Sequence, residues 1–161
     1  MVKSKDVLHK ALDPELHSGK VSVVLDGRGL VVGLQEAAFF ASGDDTVNQT
    51  GYPIIAKISG VILGLSNSLR LEGHTDSVPI HTVRFRSNWD LSTARAIATL
   101  ELLRDRYRVP AERMSVAGFA ENAPVDTNDT EEGRAHNRRV DLVVLSAEAM
   151  SGEPPASAAR K

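Results

Sequence analysis

The sequence predicts an α/β (α+β) sandwich, a mixed sheet with helices packed on one face. Three patterns predict it. Two β-branched runs meet at an Asp-Gly turn, two long stretches carry apolar residues at helical spacing, and short apolar segments follow each helix. Helices and strands interleaved in this way need a shared core between a sheet and a helical layer.

The elements follow in order. Val21 to Leu25 and Leu30 to Leu34 flank Asp26-Gly27-Arg28-Gly29 and form a hairpin. Phe39 and Phe40 come next, then a polar loop from Ser42 to Gly51. Ile54, Ile55, Ile58, Val61, Ile62 and Leu65 recur at helical spacing, and Asn67-Ser68 closes that helix. Leu69, Leu71 and Gly73 alternate with polar residues as a short strand. A second long helix starts at Ser87 or Asn88 and runs to about Tyr107, with Ser92, Ala96, Thr99, Leu100, Leu103 and Tyr107 as its inward stripe. Val109-Pro110 ends it. Met114 to Phe119 is a strand, Thr130 to His136 a short helix, and Arg139 to Leu145 the last strand, with Val140, Leu142 and Val144 facing the core.

Composition bounds the function. A chain of 161 residues suits one domain, since domains run to about 100–200 residues. No cysteine is present, which removes disulfides, thiolate metal sites and cysteine nucleophiles. Nineteen Lys and Arg against 21 Asp and Glu leave a net charge of −2, so no basic excess calls for nucleic acid. The apolar stretch Ile54 to Leu65 is too short and too interrupted to cross a membrane, which takes roughly 20 residues. Residues 1–20 read as a frayed helix or linker, residues 21–145 as the domain, and residues 146–161 as a disordered tail.

Three polar stretches stand out: Gly73 to Asp76 after a strand, Asn88 to Arg95 on the first turns of a helix, and Asn137-Arg138-Arg139 entering a strand. Arg95 lies about two helical turns beyond Asn88, so both project from one face, and helical side chains lean toward the amino end. A turn carboxylate on Asp76 and a guanidinium on Arg95 would suit a zwitterion. The Arg95 fork takes a carboxylate, Asp76 takes an ammonium, and the helix start adds positive potential. Taken singly, Asp76 is a turn former and Arg95 a solvated helix residue.

Leu71-Glu72-Gly73-His74-Thr75-Asp76, Asn88, Leu91-Ser92, Arg95-Ala96, Gly118-Phe119 and Arg134 to Val140 together resemble the OmpA C-terminal-like peptidoglycan-binding domain, over roughly residues 34–145. The resemblance implies a domain that holds the cell wall noncovalently by the diaminopimelate of the stem peptide. Asp76 and Arg95 match the family's ligand-binding pair; Thr75, Asn88 and Arg138 match positions beside it. Within the family, Phe40 to Gly43, Val78-Pro79-Ile80 and Phe85 to Ser92 are most similar to the MotB branch, which anchors flagellar stators. That branch implies a periplasmic domain of an inner-membrane protein, a homodimer, and a partner subunit, MotA, reached through a membrane helix absent from these residues. Residues 1–20 are then expected to belong to the linker of a longer chain. Substituting Asp76→Asn or Arg95→Ala is expected to leave the fold intact and abolish wall binding.

Two alternatives accompany this reading. An outer-membrane protein or lipoprotein could anchor to the wall through the same pocket. An enzyme or metal site built on His74, Asp76, His81 and His136 finds no matching motif, so no catalysis, metal or cofactor is expected. Trp89 is either a core residue or an exposed contact for a sugar or partner. Core packing is favoured, since a lone Trp beside Phe85 can bury both rings.

Overall fold

The computed structural model of the protein describes residues 1–154. Five strands form one mixed sheet, β1 (Val21–Asp26), β2 (Gly29–Gln35), β3 (Leu69–His74), β4 (Met114–Gly118) and β5 (Arg139–Leu145), in the order β1-β2-β5-β3-β4. β5 pairs antiparallel with both β2 and β3, while β3 and β4 run parallel. The β1–β2 hairpin closes on Asp26 paired with Gly29. Asp26 Oδ1 accepts the Arg28 amide at 2.8 Å, and Gly29 adopts φ +140° where a Cβ would lie 2.1 Å from the Val144 carbonyl. Only glycine fits there.

The helices are α1 (Val2–Ala11), α2 (Asp13–His17), α3 (Glu36–Phe39), α4 (Tyr52–Leu63), α5 (Asn88–Asp105), α6 (Glu131–Asn137) and α7 (Ala147–Met150). The main core forms where Leu30, Val32, Leu34, Leu69, Leu71, Val140, Leu142 and Val144 meet Ile54, Ile55, Ile58 and Ile62 of α4 and Ala96 and Leu103 of α5. Alternation along the strands puts Val31, Val143 and Leu145 on the other sheet face, against Ala149 and Met150 of α7.

α5 is anchored by sequence and by shape. Ser87 caps it, its hydroxyl accepting the Asp90 amide at 3.4 Å. Gly73 and Gly118, paired across β3 and β4, let the sheet approach the helix backbone. A Cβ on Gly73 would lie 1.8 Å from the Ser92 carbonyl, and one on Gly118 would lie 2.0 Å from the Thr93 hydroxyl. The start of α5 is thereby fixed directly over the carboxyl end of β3, beside the loop that carries Thr75 and Asp76.

Several expectations need correction. The lead is helical, as one of its two expected forms, but packed and not frayed: α1 and α2 lie against β1, α1 also against α4, and Leu8 of α1 and Leu12 just after it are buried in the core. α5 stops at Asp105, and Tyr107 lies beyond it, its hydroxyl bonded to the Tyr52 carbonyl at 2.9 Å. Leu65 falls outside α4. Trp89 is 52% exposed while Phe85 is buried. The inward face of α5 runs through Asn88, Leu91, Ser92 and Arg95, so the intervening Trp89 points outward. Of the expected tail, Ala147 to Met150 is helical and residues 155–161 lie outside the described residues.

Candidate functional site

The β3–α5 connection, the start of α5, α3 with the loop after it, and α6 surround one cleft of about 510 Å³. All five residues singled out in the sequence line it or stand at its rim: Thr75, Asp76, Asn88, Arg95 and Arg138. Three residues not expected at the site, Glu36, Glu131 and Arg134, complete its charged lining. The titratable lining is therefore three carboxylates and three guanidiniums.

The loop that presents Asp76 is held at several points. The Thr75 amide bonds to the Ala120 carbonyl and its hydroxyl to the Asp76 carbonyl, both at 2.8 Å. Asn88 Nδ2 donates to the Val78 carbonyl and to Glu121 Oε2, each at 3.1 Å. Asn88 thus ties the helix start to the loop. Asp76 Oδ1 accepts the Val78 amide at 3.0 Å, and Oδ2 accepts Arg138 Nη1 at 2.8 Å.

Arg95 is placed differently from the expectation of a solvated helix residue. Its side chain is 2% exposed at the base of the cleft. Nε donates to the Asp44 carbonyl at 2.7 Å, Nη2 to the Ala41 carbonyl at 3.1 Å and Nη1 to Glu36 Oε2 at 2.5 Å. The guanidinium also lies over the Phe40 ring, 4.9 Å from its centroid. Arg95 therefore fastens α3 and the following loop to α5. This corrects the expectation that Arg95→Ala spares the fold: the change would strip two carbonyls and a carboxylate of their donor. A guanidinium has five N–H groups, so two remain beyond these three bonds.

Glu36 bridges the site, since its second oxygen stands 3.3 Å from Arg138 Nε. Arg138 also donates to Glu131 Oε1 at 2.7 Å, and Arg134 stands 3.2 Å from Glu131 Oε2. Burial alone would lower the Arg138 pKa, but Asp76, Glu131 and Glu36 outweigh it and hold it above the ordinary arginine range. The Arg138 and Arg134 guanidiniums hold the Glu131 carboxyl below its usual value. The cleft is charged in both senses at neutral pH.

Of the four residues weighed as an enzyme site, three have separate polar partners. Asp76 faces Arg138, His81 Nδ1 contacts the Arg86 carbonyl at 3.1 Å, and His136 Nδ1 lies 2.6 Å from Asp126. His74 ends β3, stacked on Phe119 with ring centroids 5.0 Å apart.

Residues 39–138 match the family model described as the OmpA family. Motility protein B of Bacillus subtilis is 33% identical over 142 residues, covering 88% of this chain and 52% of that protein. Protein YtxE of the same organism is 36% identical over 126 residues, covering 78% of this chain and 52% of that protein. The chain spans about half the length of these relatives. Among solved structures, the cell wall anchor of the type VI secretion system from Pseudomonas aeruginosa superposes with a TM-score of 0.79 at 32% identity, over 86% of this chain and 96% of that one. The periplasmic domain of Helicobacter pylori MotB gives 0.72 at 25% identity, over 81% and 85%.

Proposed function

The chain belongs to the OmpA family, and on that premise we propose that its cleft binds peptidoglycan noncovalently, holding the zwitterionic diaminopimelate end of a stem peptide. The observation that carries this reading is the meeting of Asp76, Arg95 and Arg138 in one cleft. An ammonium seated on Asp76 replaces the Arg138 contact with an equivalent one. The Arg138 fork and the two uncommitted Arg95 N–H groups then face the ligand carboxylate. Thr75 and Asn88 position the carboxylate of Asp76 through the loop and do not depend on the ligand.

The biological role we infer is to anchor a flagellar stator to the wall from the periplasmic side of an inner-membrane protein. The likeness to motility protein B supports it. A homodimer carries two such clefts, and linked sites hold a polymer far more strongly than either alone. A MotA-type subunit would be reached through chain outside this sequence. A second reading, a wall anchor for another envelope assembly, is favoured by the superposition on the secretion-system anchor and by a 35% match over 122 residues to Acinetobacter baumannii Omp38.

The test is co-sedimentation with purified cell-wall sacculi. The wild-type chain pellets and Asp76→Asn, which keeps shape but removes the charge, stays in the supernatant. Equal pelleting of the two rejects the cleft as the wall site. In cells, Asp76→Asn that abolishes swimming while filaments still assemble supports the stator role; normal swimming assigns the domain to the other assembly.

A further inference from the structure

On the sheet face away from α4 and α5, alternation puts Glu72 and His74 of β3 side by side, and Asp141 of β5 stands opposite Glu72 in the antiparallel register. All three are buried, with relative exposures of 1%, 3% and 5%. His74 Nε2 lies 3.6 Å from Glu72 Oε1 and 3.5 Å from Asp141 Oδ2. Both distances are too long for hydrogen bonds, and neither ring nitrogen of His74 has a hydrogen-bond partner. A buried imidazole without a partner at either nitrogen is a costly arrangement.

We propose that Glu72, His74 and Asp141 form a binding site for one divalent transition-metal ion of the zinc class. Imidazole and carboxylate are the donors such an ion takes, at bond lengths of about 2.0–2.2 Å. Two donors bound tetrahedrally at those lengths stand about 3.3–3.6 Å apart, which is the spacing His74 Nε2 already keeps from both carboxylates. One donor atom from each residue falls within 4.8 Å of the others.

The surroundings orient the donors. Arg28 Nη1 donates to Glu72 Oε1 at 2.6 Å and Arg70 Nε to Oε2 at 2.9 Å, while Arg139 Nε donates to both oxygens of Asp141 at 3.1 Å. Each carboxylate oxygen has two lone pairs, so these bonds fix the carboxylates and leave a lone pair on each for the ion. Asp26 and Glu153 bind Arg28 and Arg70 in turn, which offsets the positive charge that would oppose a cation. Access comes from a cleft of about 260 Å³ that the three donors line together with Phe119, Arg28 and Arg139. Bound there, the ion joins β3 to β5 across the sheet, independently of the cleft at Asp76.

The test uses the full chain, stripped with chelator and titrated with Zn²⁺ by calorimetry and thermal unfolding. One ion per chain binds, and the midpoint rises by about 5–10 °C at a hundredfold excess over Kd. His74→Gln abolishes the rise. His136→Gln, which removes the exposed imidazole beside Asp126, leaves it unchanged. A rise that survives His74→Gln, or that disappears in His136→Gln, overturns the site. Should His74→Gln not fold, Co²⁺ added to the wild-type chain decides: a visible d–d absorption band that Zn²⁺ displaces supports inner-shell binding, and its absence refutes it.

Discussion

Arg138 Nη1 donates to Asp76 Oδ2 at 2.8 Å, joining the entrance of β5 to the turn after β3. The carboxylate best placed for a ligand ammonium thus already holds a cation from its own chain. In the binding mode proposed above, a ligand ammonium would exchange one positive partner for another, and the desolvation of Asp76 is met before any ligand arrives.

Arg138→Gln removes three ion-pair contacts while its side chain is 23% exposed. Unfolding in urea at pH 7 should show a loss of about 1–2 kcal/mol, between the values for exposed and buried pairs. The sedimented fraction with sacculi should fall as well, because the carboxylate side of the cleft loses its fork.

Arg95 tests the difference between charge and shape. Lysine keeps the charge but cannot reach Asp44, Ala41 and Glu36 together. Arg95→Ala should cost about 3–5 kcal/mol, the range for breaking a buried pair. Arg95→Lys should recover only part of that, measured by the urea midpoint. Equal midpoints for Arg95→Ala and wild type would show that α3 does not depend on this fork.

Gly73→Ala forces a methyl against the Ser92 carbonyl, which is backbone and cannot rotate away. A fall of more than about 3 kcal/mol is expected, at or above the top of the range for overpacking. Gly60 sits on the exposed side of α4 with open space around it. Gly60→Ala should therefore raise stability by about 0.5–1 kcal/mol through helix propensity alone. Thermal midpoints moving in opposite directions check both.

Acid stability depends on Glu72. Burial alone would raise its pKa, but the nearby His74 and the Arg28 and Arg70 guanidiniums outweigh it and hold the carboxyl down to about 2. Its folded value lies below the unfolded one, so its contribution is full above about pH 4.5 and is lost as pH falls toward 2. The contribution is about 3 kcal/mol. Asp141 opposes it, since burial pushes that carboxyl up and its ionised form costs stability at neutral pH. With chelator present, wild type should lose stability between pH 4.5 and 2 more steeply than Glu72→Gln. Parallel curves would show that Glu72 carries no such linkage.

Much of the fold could be read locally. β5 occupies Arg139 to Leu145, the expected span, and Ser87 caps α5 where a cap was expected. The Asp-Gly hairpin needed only the turn residues and the alternation around them. The lead was harder to read, because Leu8 and Leu12 are few among charged neighbours and join the core only once α1 packs on α4 and β1. Trp89 misled because ring size argues for burial while helix phase places it outward.

At the candidate site, local spelling was enough to reveal the available groups: Asp76 in a turn, Asn88 and Arg95 on one helix face, Arg138 at a strand entrance. Helical phase and turn chemistry depend on neighbours a few residues away, so spelling suffices for them. Which charges meet depends on the folded chain. Glu36 reaches Arg95 from 59 residues upstream, and Arg138 reaches Asp76 from 62 residues downstream. Those encounters are set by sheet order and by the close approach at Gly73 and Gly118, neither of which any local stretch encodes.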